Sequence, residues 1–177
     1  LMHRYRAEAI TARALLYFNL VRNFGDVPMK LEGTKTDLSN IYVGKTDRDE
    51  IMVSRIVELE RAIPDLCWVG ENSYTTERIT KGYAHGLLAQ IALQRAGWAI
   101  RESQKDGYET ATENSDPTYP TQRPGAAERT KYYQMAQTHL NEIIGKGIHQ
   151  LNPSYENEWY LINQNKLDDK YYETSSR

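Results

Sequence analysis

Four stretches of this chain repeat apolar residues every three or four positions, and each is closed by a glycine or a proline. No stretch alternates apolar and polar residues over the length of a strand, so the pattern predicts an all-α array rather than a layered α/β domain. The first helix is expected near 2–24, where Ile10, Ala14, Tyr17, Phe18 and Val21 share a face. Leu16 and Leu20 widen that stripe until most of the circumference reads as buried. Gly25 stands where a left-handed terminating residue is wanted, and Pro28 blocks continuation. Residues 29–45 read as an irregular connection.

The second helix is expected near 47–63. Thr46-Asp47-Arg48-Asp49 opens it, with the threonine hydroxyl as cap and the acids at the positive end of the helix dipole. Met52, Ile56, Leu59 and Ile63 form its apolar face before Pro64. Thr80 caps a third helix near 81–96, with Ala84, Leu87, Leu88, Ile91 and Leu93 inward and Gly97 at its end. A fourth, near 127–144, presents Tyr133, Ala136, Leu140, Ile143 and Ile144, and Gly145-Lys146-Gly147 stops it. The helices are expected as antiparallel pairs with no substantial sheet, tetratricopeptide-like but without a strict 34-residue period. From Ile148 onward the chain reads as short turns or helical pieces.

Residues 99–126 stand apart as a long loop. Asp106-Gly107, Asp116-Pro117, Tyr119-Pro120 and Pro124-Gly125 are breaker pairs, with almost no aliphatic residue between them. A loop of this length inside a compact domain is usually functional or mobile. It is expected to lie within one helical domain covering residues 1–177, itself a piece of a longer protein, because the chain opens directly in a helical pattern without an initiator methionine.

Chemistry finds little purchase. With 22 basic and 24 acidic side chains the net charge is −2, which excludes the basic face of a general nucleic-acid binder. Mean hydropathy is −0.71, and no apolar run approaches the roughly 20 residues of a membrane span. One cysteine, Cys67, rules out an internal disulfide framework. His3, His85, His139 and His149 are scattered without ligand spacing, and His85 and His139 read as packed or surface histidines of helices. Phosphate-loop and nucleophile-elbow patterns are absent. Asp47, Asp49 and Glu50 read as a helix start rather than a calcium loop, and Glu58/Glu60 and Asp168/Asp169 as solvated faces. Asp26, after Gly25, is expected to accept from nearby backbone N–H groups. No catalytic residue, metal ligand or cofactor is expected.

Aromatic residues in irregular segments remain. Thirteen tyrosines stand against two phenylalanines, and a tyrosine adds a polar handle to a flat ring. Trp98, Tyr108 and Tyr119 fall at or within the long loop, with Tyr74 in an earlier one. Sugar rings stack apolar C–H faces on such rings, and Asn114, Asp116, Gln122 and Arg123 offer groups for hydroxyls. The sequence thus points to Trp98, Tyr108, Tyr119, Asn114, Asp116 and Arg123 as a ligand-binding set. An anchor fixing the loop to the helices is an equal reading of Trp98.

Several blocks resemble SusD/RagB-like proteins: Ala7-Glu8-Ala9, Arg13-Ala14, Tyr17-Phe18-x-Leu20-Val21 and Phe24-Gly25-Asp26-Val27-Pro28. Arg78-Ile79-Thr80-Lys81-Gly82, with Ala84, Leu87-Leu88-Ala89-Gln90 and Leu93, is similar to a second signature helix of that family. Tyr132-Tyr133-x-x-Ala136, Ile143-Ile144 and Leu151 are similar to a third block. Tyr83 departs from the family's preference for a small residue there. The resemblance implies a cell-surface, outer-membrane lipoprotein of Gram-negative bacteria with a tetratricopeptide-like helical fold. It implies binding of a glycan or other nutrient and delivery to a SusC-like TonB-dependent transporter, without enzymatic chemistry. The family's ligand contacts vary, so no binding residue transfers by motif. The competing reading is a helical-repeat scaffold that binds another protein.

Overall fold

A computed structural model describes residues 1–149, 154–156, 159 and 163. Four helices, α1 (Met2–Phe24), α2 (Arg48–Ala62), α3 (Lys81–Ala96) and α4 (Ala126–Lys146), lie close to the expected bounds. They pack in chain order, α1 on α2, α2 on α3 and α3 on α4, as a tetratricopeptide-like array. The core runs through Ala14, Phe18, Ile51, Ile56, Leu59, Leu88, Ile91, Tyr132 and Ala136. Buried alanines, including Ala14, Ala84, Ala92 and Ala96, present only a methyl group and so permit close approach of neighbouring helices.

The stop signals act as read. Gly25 ends α1 at φ 74°, and Gly147 ends α4 at φ 67°, both left-handed. The Thr80 hydroxyl accepts from the Tyr83 N–H at 3.2 Å. At α2 the cap is Asp47 rather than Thr46: its carboxylate accepts from the Asp49 N–H at 2.8 Å. Thr46 is instead occupied in a two-residue antiparallel pair, β1 (Val27–Pro28) with β2 (Lys45–Thr46), which closes the 29–45 connection at its base.

Three helix faces differ from expectation. Leu16 and Leu20 of α1 are exposed, so the buried stripe is the narrower Ala7, Thr11, Ala14, Phe18 and Val21. In α4 Tyr132 and Ala136 are buried, whereas Tyr133, Leu140 and Ile144 face outward. Leu93 of α3 is exposed beside them. Both sides of α4 carry apolar residues, and the side chosen against α3 leaves the other open. Tyr83 points outward too, so its bulk disturbs no packing; the neighbouring Gly82 is the constrained position, where a Cβ would lie 3.1 Å from the Trp68 ring. Glu58 is not a solvated acid: it pairs with Arg13 of α1 and with the buried Arg55, both at 2.9 Å.

The segment read as a loop holds a small antiparallel sheet. β3 (Ala99–Ile100) and β4 (Tyr108–Thr110) flank β5 (Thr121–Pro124), giving the order β3-β5-β4. Gln122 in β5 is fully buried, and its amide spends itself internally: Oε1 accepts from the Lys105 N–H at 2.9 Å and Nε2 donates to Thr110 Oγ1 at 3.0 Å. Of the tail expected as short turns or helical pieces, the part over 150–153, 157–158, 160–162 and 164–177 lies outside the described residues, as does Leu151 of the third resemblance block.

Candidate functional site

Gly97 breaks α3, and the next residue, Trp98, leads into β3. The register Ala99↔Gln122 sets Trp98 beside Arg123 of β5. The Arg123 guanidinium lies over the Trp98 ring, 4.5 Å from its centroid. A cleft of about 370 Å³ opens between the end of α1, the start of α2 and this sheet. Its aromatic and apolar wall is Phe24, Trp98, Ile100 and Tyr119, all exposed. Arg22, Asn23, Gln94 and Glu102 supply polar groups around it. Trp98 is 42% exposed and Tyr119 54%, so each keeps ring surface that a ligand can cover.

The cleft floor is fixed by charge. Asp26 Oδ1 accepts from the Arg48 backbone N–H at 3.2 Å and from Arg48 Nε at 2.8 Å. It thus binds a backbone N–H as expected, but one 22 residues away. The Arg48 guanidinium lies directly over Gly25, where a Cβ would fall 2.2 Å from Nη2. The Phe24 to Pro28 block is therefore both a turn and part of the cleft wall.

The six candidates separate into three groups. Trp98 and Tyr119 share the cleft. Arg123 donates from Nε and Nη2 to Glu109 Oε2 at 2.9 and 2.8 Å, which places it behind Trp98 rather than in open solvent. Asn114, left-handed at φ 54°, and Asp116, whose Oδ1 accepts from the Thr118 N–H at 2.7 Å, sit in the exposed turn between β4 and β5. Tyr108 turns inward and donates its hydroxyl to Asp49 Oδ2 at 2.7 Å. Tyr74, from the earlier loop, is buried against α1, donating to Glu8, with Arg78 over its ring.

Asp49 lies at the helix start, as expected, and does more there than a helix-start acid usually does. It is buried in the first turn of α2 and gathers Arg101 at 2.8 Å, Lys105 at 2.9 Å and Arg95 at 3.8 Å, besides Tyr108. Arg95 also pairs with Glu128 at 2.6 Å, and Lys105 with Asp47. This hub joins α2, α3 and the sheet that carries Trp98. Burial pushes the Asp49 carboxyl up, but hydrogen bonds from Lys105 and Arg101 and the surrounding cations outweigh it and hold the group below its ordinary value. The same burial and the Asp49 charge push the Tyr108 phenol up. Its only sequence signal was an acid at a helix start, which describes many helices.

Elsewhere, His85 Nδ1 and His139 Nδ1 meet at 2.8 Å between α3 and α4. A second cleft of about 500 Å³ runs along α4, lined by Leu93 of α3 and by Tyr133, Leu140 and Ile144. Among the described residues no three His, Cys, Asp or Glu side chains converge as a metal site. None of the described helices is long and apolar enough to cross a membrane. The first cleft can stack a ring and hydrogen-bond its edge.

Fold and cleft together define a helical-repeat protein with an aromatic-walled cleft on an inserted sheet. No family model matches the chain. It is 31% identical over 101 residues to SusD-like protein P2 of Formosa agariphila, a match covering 55% of this chain and 19% of that protein. A SusD homologue from Bacteroides thetaiotaomicron has the same fold with a TM-score of 0.63, at 23% identity, over 90% of this chain and 25% of its own. A SusD-like carbohydrate binding protein from Bacteroides fragilis follows with a TM-score of 0.58, at 20% identity, over 86% of this chain and 23% of its own. The resemblance read from the Phe24 to Pro28 block and its companions is thus met in sequence by one relative and in fold by the solved structures: the chain is similar to SusD-like proteins. It spans about a fifth of the length of the curated relative and about a quarter of the solved chains.

Proposed function

We propose that the protein to which this chain belongs captures a glycan or a similar nutrient at the bacterial surface. It hands the ligand to a SusC-like TonB-dependent transporter in the outer membrane, to which a lipid anchor attaches it. Binding is non-covalent and needs no cofactor. The observation that carries this reading is the cleft in which Trp98, Tyr119 and Phe24 expose ring faces beside Asn23, Gln94 and Glu102. Apolar ring faces next to hydrogen-bonding groups suit a pyranose, whose C–H face and hydroxyls need both. The Bacteroides fragilis relative is a SusD-like carbohydrate binding protein, which supports the ligand class. The experiment is a titration of the full-length protein with a panel of neutral and uronic-acid hexasaccharides, repeated with Trp98→Ala. Binding that weakens in the variant supports the cleft.

A second reading, a scaffold for another protein, is favoured by the exposed Leu93, Tyr133, Leu140 and Ile144 on the outer face of α3 and α4. Pull-down of the transporter by full-length protein, lost in Leu140→Asp but kept in Trp98→Ala, would assign that face to a protein partner.

A further inference from the structure

Four side chains form a line across the inserted sheet. Arg129, in the second turn of α4, donates from Nη1 to Glu109 Oε1 of β4 at 2.6 Å and to the Pro124 carbonyl at 2.8 Å. The other oxygen of Glu109 holds Arg123 of β5 through two nitrogens, at 2.9 and 2.8 Å. The Arg123 plane then lies over Trp98. The two guanidinium groups hold the Glu109 carboxyl below its ordinary range, so this acid stays charged and keeps its grip at neutral pH.

From this line we infer that Arg123 is a positioning residue: it closes one face of the Trp98 indole and fixes the ring so that only the cleft-side face is open. The inference rests on the reading of the cleft as the ligand site. With Nε and Nη2 both on one Glu109 oxygen, the contact fixes the direction of the guanidinium as well as its distance, and the single nitrogen of a lysine could not reproduce it. The ring below that plane loses the freedom to rotate about its side-chain bonds, and a pre-set ring costs a ligand less ordering on binding. The guanidinium also puts positive charge against the far side of the π-system. Arg123 is thus not a hydroxyl ligand. It acts through Trp98, and Glu109 and Arg129 act through Arg123.

The test uses full-length protein labelled with 5-fluorotryptophan, whose Trp98 fluorine line is assigned by Trp98→Phe. Arg123→Met, which keeps an alkyl stem, and Glu109→Gln, which leaves the arginine but loosens its anchor, should both shift that line and raise its H₂O/D₂O solvent-isotope effect. Arg123→Lys should restore little of the wild-type spectrum. Affinity for the hexasaccharide that binds wild type best should fall about two- to fivefold in both variants, the size of an exposed cation–π contact. An unmoved Trp98 line in both Arg123→Met and Glu109→Gln, with helical circular dichroism intact, overturns the positioning role. A moved line with unchanged affinity, matched by unchanged affinity in Trp98→Ala, instead overturns the ligand reading of the cleft and leaves the positioning intact.

Discussion

His85 of α3 and His139 of α4 face each other through their Nδ1 atoms at 2.8 Å, and Trp68 stacks on His85 at 5.8 Å and 12°. Two nitrogens at that distance share one proton, so one ring donates and the other accepts. A second proton between the rings would set two N–H donors against each other, and protonating both rings would set two cations inside the α3–α4 packing.

Stability should therefore fall on mild acidification. Burial lowers the affinity of both imidazoles for a proton; His139 and Lys81 lower His85 further, while Glu142 acts on both rings and Glu60 on His139 in the opposite sense. With folded values below the unfolded one of about 6.5, the unfolded chain binds more protons on acidification. The pair's contribution is complete above that pH and is lost as pH falls from it through the lower folded values. Thermal midpoints measured from about pH 8 to 5 should drop below about 6.5 in wild type and flatten in the His85→Gln/His139→Gln double variant. Equal slopes in the two proteins would contradict the account.

Gly25→Val tests the turn between α1 and the cleft. The residue sits at φ 74° and its Cβ would collide with the Arg48 guanidinium, breaking the Asp26–Arg48 pair. The strained backbone alone should cost about 1–3 kcal/mol, read from urea unfolding. Because the cleft wall includes Gly25 and Arg48, affinity should fall as well. Full stability in the variant would show that the turn tolerates a branched side chain.

Asp49→Asn removes the anion from a buried group of cations. Breaking a buried pair from one side typically costs about 3–5 kcal/mol, and the loss here should concentrate in the sheet and the ends of α2 and α3. Tyr108→Phe deletes one hydrogen bond to the same carboxylate and should cost about 1–2 kcal/mol. Because the Asp49 carboxyl is held below its ordinary value, its contribution is present above that value and disappears as pH falls through the range beneath it. Hydrogen exchange should show early opening of residues 99–124 in Asp49→Asn while α1 stays protected. Uniform protection in both variants would remove Asp49 from its role as a hub.

The helices were legible because each carries its own boundary chemistry: Thr80 before α3, Gly97 after it, Gly25 and Gly147 in left-handed turns. The sheet was not, because strands of two to four residues are too short for a period to show, and their breaker pairs speak for turns. The outward face of α4 was misjudged because Tyr132 and Tyr133 are adjacent and only tertiary packing chooses between them. Trp98 and Tyr119 were singled out by type and by their irregular setting, and the fold brings both to one cleft. The turning of Tyr108 inward was hidden, since it depends on Asp49, 59 residues away in sequence. Phe24, Arg22 and Gln94 were missed because they belong to helices, and only the fold brings them beside the sheet.

We propose that the cleft takes a ligand on Trp98 and Tyr119. The most direct test is isothermal titration of the full-length protein with the hexasaccharide panel, comparing wild type, Trp98→Ala, Tyr119→Ala and, as a control outside the cleft, Tyr133→Ala. Removing a stacking ring that anchors a ligand weakens binding about ten- to hundredfold. That loss is expected for Trp98→Ala and Tyr119→Ala, with an unchanged dissociation constant for Tyr133→Ala. Wild-type binding that survives unchanged in both cleft variants, with the helical fold intact, would contradict the proposal.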